Sequence, residues 1–270
     1  MTTHDILKPL HPFLKKYGPW ALVAGASKGL GAAFGQALAK MGFNLVIVAR
    51  RENLLQSLAS QYKAEWGIEV KCIAADLAQP NAIERIGKDT KDIPIGLLVY
   101  NAAFAPIGPV AQTSLEQLLM VVDTNVRGPV GLVHTLLPSL KEHKGGVILM
   151  SSLAGNQGSP RIATYSASKG FNSIWGQGLW HELQPLGIDV TVCCAGAIRT
   201  PGYENAENKE APGTLDAITV ASAALNALGK KPFIIPGGTN KIAAFVMNRI
   251  LPRKWAIKLM ASATQNLKHS

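Results

Sequence analysis

The chain has 270 residues, 47% of them apolar, enough to bury one large core and too many for a disordered chain. It carries 27 basic against 17 acidic residues, a net charge of +10, but no nucleic-acid module accompanies that charge, so nucleic acid is not expected as a partner. No apolar run approaches the roughly 18 residues of a membrane span. The opening "MTTHDILKPLHPF" carries Asp5 and prolines where a secretory core would lie, so no signal peptide is expected. The cysteines Cys72, Cys193 and Cys194 form no CxxC pattern, which suggests reduced core thiols in a cytoplasmic protein.

In chain order, short β-branched apolar runs alternate with longer helical patterns. The runs cover 21–25, 44–50, 70–76, 95–102, 146–152, 189–196 and 232–237. They are continuously apolar, as expected of strands covered on both faces. Helices are expected near 29–41, 52–66, 80–88, 114–140, 164–186 and 214–228. Such alternation implies right-handed crossovers and a parallel sheet. The expectation is one α/β domain: a doubly wound, parallel seven-stranded sheet of the Rossmann type, helices on both faces. Residues 1–17 read as an arm, 18–238 as the core and 239–270 as a C-terminal helical extension. Ligands of such sheets bind beyond the carboxyl ends of the strands. Those ends read "GASKGLG", "ARR", "ADL", "NAA", "SSLAG" and "AGAIRTP", small or polar where a core needs neither.

The first strand runs directly into "GASKGLG", Gly25 to Gly31, and then a helix. Glycines there allow a tight turn, and a helix N-terminus offers N–H groups to phosphate. The pattern is GxxxGxG, not the commoner GxGxxG, and alone it also serves mere packing. The next strand ends in Arg50 and Arg51, with Glu52 beyond both. Arginine at this place accommodates a 2′-phosphate, whereas an acid would hold a ribose hydroxyl. With Lys28 in the glycine loop, this favours NADP(H) over NAD(H). In "YSASK", Tyr165 and Lys169 stand one helical turn apart, which puts a cation beside a phenol. Alone, the pair reads rather as a surface feature of an amphipathic helix, since short motifs match often by chance. Ser166 and Lys169 also spell S-x-x-K, but the S-D-N and K-T-G partners of that serine chemistry are missing. The six histidines lie scattered without ligand spacing, so no metal is expected.

Taken together, "GASKGLG", Asp76, "NAA" from Asn101, Asn125 in "TNVRG", Ser152 in "SSLAG", and Tyr165 with Lys169 resemble the short-chain dehydrogenase/reductase family over roughly residues 18 to 240. "YGPWALVAGASKGLG" and "NLVIVARRENLL" look like the branch of bacterial hydroxysteroid dehydrogenases and 3-ketoacyl or 17β-hydroxysteroid reductases. Ala24, Tyr100, Ala103 and Ala195 depart from the family's usual residues, and none removes a group needed for hydride transfer. The resemblance implies Asn125, Ser152, Tyr165 and Lys169 as the catalytic set. It implies a cofactor site of Gly25, Ser27, Lys28, Gly29, Leu30, Gly31, Arg50, Arg51, Asp76, Leu77, Asn101, Ala102, Ala103, Tyr165, Lys169, Gly196, Ile198 and Thr200.

By that resemblance Tyr165 is a general acid, Ser152 holds the substrate oxygen, and Asn125 holds a water of a proton relay. Lys169 holds the nicotinamide ribose, and its charge is expected to lower the phenol's pKa. The implied function is NADP(H)-dependent interconversion of a ketone and a secondary alcohol. The alternative is a non-catalytic NADP-binding sensor on the same fold.

A homodimer or homotetramer is expected through the helices at 114–140 and 164–186, which the resemblance makes a dimer face. These helices carry Ala163, Ala167, Gly170, Gly176 and Gly178. Packing against the sheet would use the same small residues. The last acid is Asp216, and eight cations follow it. This basic end is either a solvated tail or an attractor for an anionic substrate, carrier or membrane surface. Pro252 suits the first turn of a new helix, so two helices are expected there, with Trp255, Ala256, Leu259 and Met260 on one face. Such a tail either docks on the core or covers a hydrophobic, lipid-like carbonyl substrate beside the loop 197–212.

Overall fold

In a computed structural model, which describes residues 11–199 and 211–265, the apolar runs pair side by side. The strands are β1 (Trp20–Ala24), β2 (Asn44–Ala49), β3 (Val70–Ala74), β4 (Ile95–Tyr100), β5 (Gly146–Ser152), β6 (Asp189–Ala195), β7 (Ile198–Arg199), β8 (Leu215–Asp216) and β9 (Phe233–Ile234). Seven of them form one parallel sheet in the order β3-β2-β1-β4-β5-β6-β9. The chain winds outward from β1 to β3, then returns to place β4 on the other side of β1. That reversal opens a crevice at the carboxyl ends of β1 and β4.

Strand residues alternate between two apolar layers. Val23, Ile47 and Val99 pack with Phe34 and Leu38 of α2 (Gly29–Lys40), Leu55 of α3 (Glu52–Trp66) and Ala221 and Ala224 of a later helix, 217–227. Leu22, Val46 and Leu98 pack on the other face with Ile86 of α4 (Ala82–Thr90) and with helices that follow β4 and β5. Phe13 and Tyr17 of α1 (Pro12–Tyr17) join the first layer, so this part of the expected arm belongs to the core.

Three features depart from expectation. The last strand is two residues long, not 232–237. Pro236 has no N–H for a ladder, and Gly237, at φ +85, turns the chain into the tail. Secondly, β7 and β8 make an unforeseen two-stranded ladder flanking residues 200–210, which lie outside the described residues. Thirdly, the stretch expected as one helix at 114–140 is α5 (Leu115–Val122), a π-turn over 123–127, and α6 (Gly128–Glu142). Pro129 has no N–H for the carbonyl of Asn125, four residues earlier. The buried Tyr100 hydroxyl donates to the Thr124 carbonyl at 2.5 Å. A Cβ at Gly128 would stand 2.0 Å from that hydroxyl, so this tyrosine needs that glycine.

The chain continues through α7 (Ala163–Glu182), α8 (Ala217–Ala227), α9 (Gly238–Phe245), a π-turn over 246–250 and α10 (Arg253–Gln265). Two helices are indeed separated near Pro252, but the proline stands one position ahead of α10. Its carbonyl accepts from Ala256 N at 3.2 Å. Trp255, Ala256, Leu259 and Met260 lie on one side of α10, but that side is not uniformly covered. Ala256 is buried, whereas Trp255 and Leu259 point outward. Among the described residues no helix is long and apolar enough to cross a membrane.

Candidate active site

The site begins where β1 runs into the glycine turn. Gly25 has φ +82, and a Cβ there would lie 2.6 Å from Ala102 Cα. Gly31 is tighter still, with a Cβ placed 1.9 Å from the Gly25 carbonyl oxygen. Asn101 Nδ2 donates to that carbonyl at 3.1 Å and ties the end of β4 to the turn. Lys28 precedes α2 without a side-chain cap, so the first-turn N–H groups of α2, Gly29 among them, face the turn uncapped by it. Leu30 drops into the core and fixes the helix start. Gly31→Ala should therefore push the turn open and weaken dinucleotide binding by more than about tenfold, at a stability cost of about 1–3 kcal/mol. Fluorescence titration with NADPH and a thermal melt check both.

Beyond the turn lies a cleft of about 540 Å³. Its wall includes Gly25, Ser27, Lys28, Arg50, Arg51, Asp76, Leu77, Asn101, Ala102, Ala103 and Tyr165. The sequence pattern did not single out Ala49, Ala75, Phe104, Met120 and Thr124, which also line it. Phe104 directly follows the "NAA" signature, and Thr124 precedes Asn125; those neighbours were the available signals. Arg51 Nη2 donates to Ser27 Oγ at 3.1 Å, across the mouth of the turn. Among the described residues no carboxylate pairs with Lys28, Arg50 or Arg51, so three cations face this end of the cleft. Gly196 and Ile198 lie outside this wall, at the end of β6 and in β7. Thr200 falls outside the described residues. A cleft with a Cβ-free turn, an uncapped helix start and three cations fits a phosphorylated dinucleotide.

The residues expected to be catalytic gather around Tyr165, which lines the cleft. Ser152 closes β5, and its Oγ accepts from Ala154 N at 3.3 Å. The Ser152 hydroxyl stands near enough to the Tyr165 hydroxyl to favour its ionised form. Lys169 stands one turn along α7, with Nζ 5.7 Å from the Tyr165 ring centroid and donating to the Met150 carbonyl at 3.0 Å. Gly155 lets α7 approach this closely, because a Cβ there would sit 2.7 Å from the Lys169 carbonyl carbon.

Two expectations are corrected. Burial pushes the Tyr165 phenol up, not down, and the neighbouring Ser152 hydroxyl offsets this only in part. The Lys169 ammonium lies over the ring, not at the hydroxyl, and burial lowers its own pKa to about 8. Asn125 is buried in the π-turn, but its side chain is fully engaged. Nδ2 donates to the Phe104 carbonyl at 3.0 Å and to Ser168 Oγ at 2.9 Å, while Oδ1 accepts from Phe104 N at 2.8 Å. The amide thus stitches the cleft wall to α7 and has no donor to spare for a relay water. Cys193 and Cys194 are free, buried thiols in β6, and among the described residues no three ligand-type side chains gather around a metal site.

A model of the short chain dehydrogenase family matches residues 19–211. The chain belongs to this family. Among curated short chain dehydrogenases and their relatives, it is 31% identical over 238 residues to the 7beta-hydroxysteroid dehydrogenase of Collinsella aerofaciens, covering 84% of this chain and 89% of that one. It is 39% identical over 188 residues to the very-long-chain 3-oxoacyl-CoA reductase of Podospora anserina, covering 66% of this chain but 55% of the relative. The chain thus spans little more than half the length of that reductase. Of solved structures, one from a study of 7beta-hydroxysteroid dehydrogenase stereoselectivity superposes with a TM-score of 0.86 at 28% identity, covering 92% of this chain and 98% of the other. A short-chain dehydrogenase from Sphingobium yanoikuyae, solved in complex with NADPH, superposes with a TM-score of 0.73 at 28% identity, covering 81% and 87%. These likenesses support a nicotinamide cofactor in the cleft described above.

Proposed function

We propose that this protein is an NADP(H)-dependent oxidoreductase that interconverts a ketone and a secondary alcohol on a hydrophobic, steroid-like or ketoacyl substrate. The observation that carries this reading is the Ser152–Tyr165 hydroxyl pair, backed by Lys169, at the edge of a dinucleotide-sized cleft. When bound, the nicotinamide supplies or accepts the hydride. Tyr165 gives its phenol proton to the carbonyl oxygen as negative charge develops there, and Ser152 donates a hydrogen bond to the same oxygen. Because burial raises the phenol's pKa, Tyr165 is protonated at neutral pH, the form that reduction requires. Lys169 supplies the nearby positive charge that eases departure of the proton. Asn125 positions the Phe104 wall, and its main-chain carbonyl, which Pro129 cannot pair as the helix would, is where we place the relay water.

The substrate class rests on the relatives' names and on the apolar residues Phe104 and Met120 in the wall. Free thiols support a reducing compartment such as the cytoplasm. The direct test is loss of NADPH absorbance with a panel of small and bulky ketones. Bulky apolar ketones should be consumed; no oxidation of NADPH with any ketone would sink the enzyme reading and leave a cofactor-binding sensor.

Cofactor choice is assigned to Arg50, with Lys28 and Arg51 in support. Arg50→Asp should weaken NADPH by about ten- to a hundredfold and spare or improve NADH, since it removes a phosphate partner and offers a hydroxyl acceptor. Steady-state kinetics with both cofactors decide this, and equal use of the two by the wild type would overturn the assignment.

A homo-oligomer is assigned to α5 and α7. Leu115, Leu119 and Ile174 are exposed there, Ile174 to 76%. Ala163, Ala167 and Gly178 also face outward, whereas Gly176 is taken by packing, its would-be Cβ 2.3 Å from Val192 Cγ2. Ile174→Glu should turn the oligomer into a monomer in light scattering at micromolar concentration; a wild type that is already monomeric excludes this face.

A further inference from the structure

The two tail helices face inward and outward at once. Inward, α10 is latched to the segment that leads into the Tyr165 helix. Arg253 Nη1 donates to the Asn156 carbonyl at 3.0 Å. Arg161 Nη1 reaches back to the Thr264 carbonyl at 2.8 Å and to the Gln265 carbonyl. Ala256 and Thr264 are buried, and a Cβ at Gly158 would stand 3.7 Å from Ile257 Cγ1. Outward, Ile242, Phe245, Ile250, Trp255 and Leu259 are all exposed, Trp255 to 63% and Phe245 to 60%. Lys241, Arg249, Lys254 and Lys258 stand among them, also exposed. Lys258 Nζ lies 5.4 Å over the Trp255 ring, so on α10 a cation and the aromatic lie side by side rather than on opposing faces. No acid follows Asp216, and among the described residues none of these cations pairs with a carboxylate.

We propose that this face of α9 and α10 docks the protein on an anionic lipid surface. This goes beyond the catalytic reading and does not depend on it. Helices lying in a membrane interface carry Trp, Phe and Leu towards the acyl boundary, with Lys and Arg at headgroup level. Long cationic stems can lie along the apolar surface while their charges reach phosphate. A second copy of the chain is the wrong occupant, because a two-fold contact would set this cationic face against itself. A protein partner fits less well, since lysine is depleted in protein interface cores and here stacks on the central aromatic. The arginine latches then hold the lipid-facing helix beside the active-site segment.

The test uses the full chain and sedimentation with vesicles of phosphatidylcholine, alone or with about one third phosphatidylglycerol. Binding is expected to the anionic vesicles only and should fall as salt is raised. The double variant Lys254→Glu with Lys258→Glu should lose binding by about a hundredfold. Trp255→Ala with Leu259→Ala should lose it by at least about tenfold. All four residues are exposed, and unchanged melting temperatures and NADPH affinity would show that the fold is intact. Failure to sediment, equal sedimentation with neutral vesicles, or variants that bind like wild type would overturn the proposal. So would variants that convert an oligomer to a monomer in light scattering, because a second copy would then own this face.

Discussion

Tyr165→Phe should lower turnover by two to four powers of ten while leaving NADPH affinity within about twofold of wild type. The phenol oxygen is the one heavy atom removed, and in this site it is the group beside the Ser152 hydroxyl. The ring remains to wall the cleft, so the dinucleotide keeps its contacts there. Burial holds the wild-type phenol above its ordinary pKa. Alcohol oxidation, which needs the deprotonated form, should therefore climb towards alkaline pH, while ketone reduction does not. Single-turnover rates and a fluorescence titration separate chemistry from binding. Near-normal turnover in the variant would overturn the acid role of Tyr165.

Lys169→Met should do two opposite things: abolish efficient turnover and make the protein more stable. The ammonium is 3% exposed, and burial lowers its pKa from 10.5 to about 8. Between those values the unfolded chain binds more protons than the folded one, so stability rises with pH through that window. Below about pH 8 both states are protonated and the full penalty applies, on the order of 3 kcal/mol from the shift. Methionine removes it, at the cost of the hydrogen bond to Met150, about 1–2 kcal/mol. A melting temperature raised by a few degrees at pH 7 should result, with the gain shrinking as pH approaches 10. If the variant melts lower at both pH values, the buried charge is compensated by a group not named here and the penalty is wrong. Unchanged NADPH affinity would confine Lys169 to Tyr165 and remove its expected contact with the cofactor ribose.

The cleft was largely legible because its signals are local. A glycine whose Cβ would strike the backbone, as at Gly31, leaves its mark at one position whatever the surroundings. Arg50 and Arg51 end a strand, and strand ends define the rim of a parallel sheet. Tyr165 and Lys169 share a helix face by spacing alone. The role of Asn125 was not legible, because its partners Phe104 and Ser168 are 21 and 43 residues away and meet it only after β4, the π-turn and α7 have packed. The π-turn itself depends on Tyr100 reaching Thr124, a contact between a strand and a helix. The sign of the Tyr165 shift also escaped, since spacing shows a neighbouring cation but not the desolvation that outweighs it.

The parallel sheet, the glycine turn, the arginines that follow the second strand and the one-turn spacing of Tyr165 and Lys169 are all written locally, because continuous apolar runs, glycine sterics and helical periodicity act within a few residues. The way the tail presents its side chains, by contrast, is set by long-range packing. Periodicity placed Trp255, Ala256, Leu259 and Met260 together, but the rotation of α10 is fixed by Arg161, which bonds its last turn from outside, and by its own Arg253, which bonds the Asn156 carbonyl. That rotation buries Ala256 and turns Trp255 and Leu259, with Lys258, to the outside. A helix carries its own pattern of faces, but which face is covered depends on the surface it meets, and here that surface comes from a segment about a hundred residues earlier.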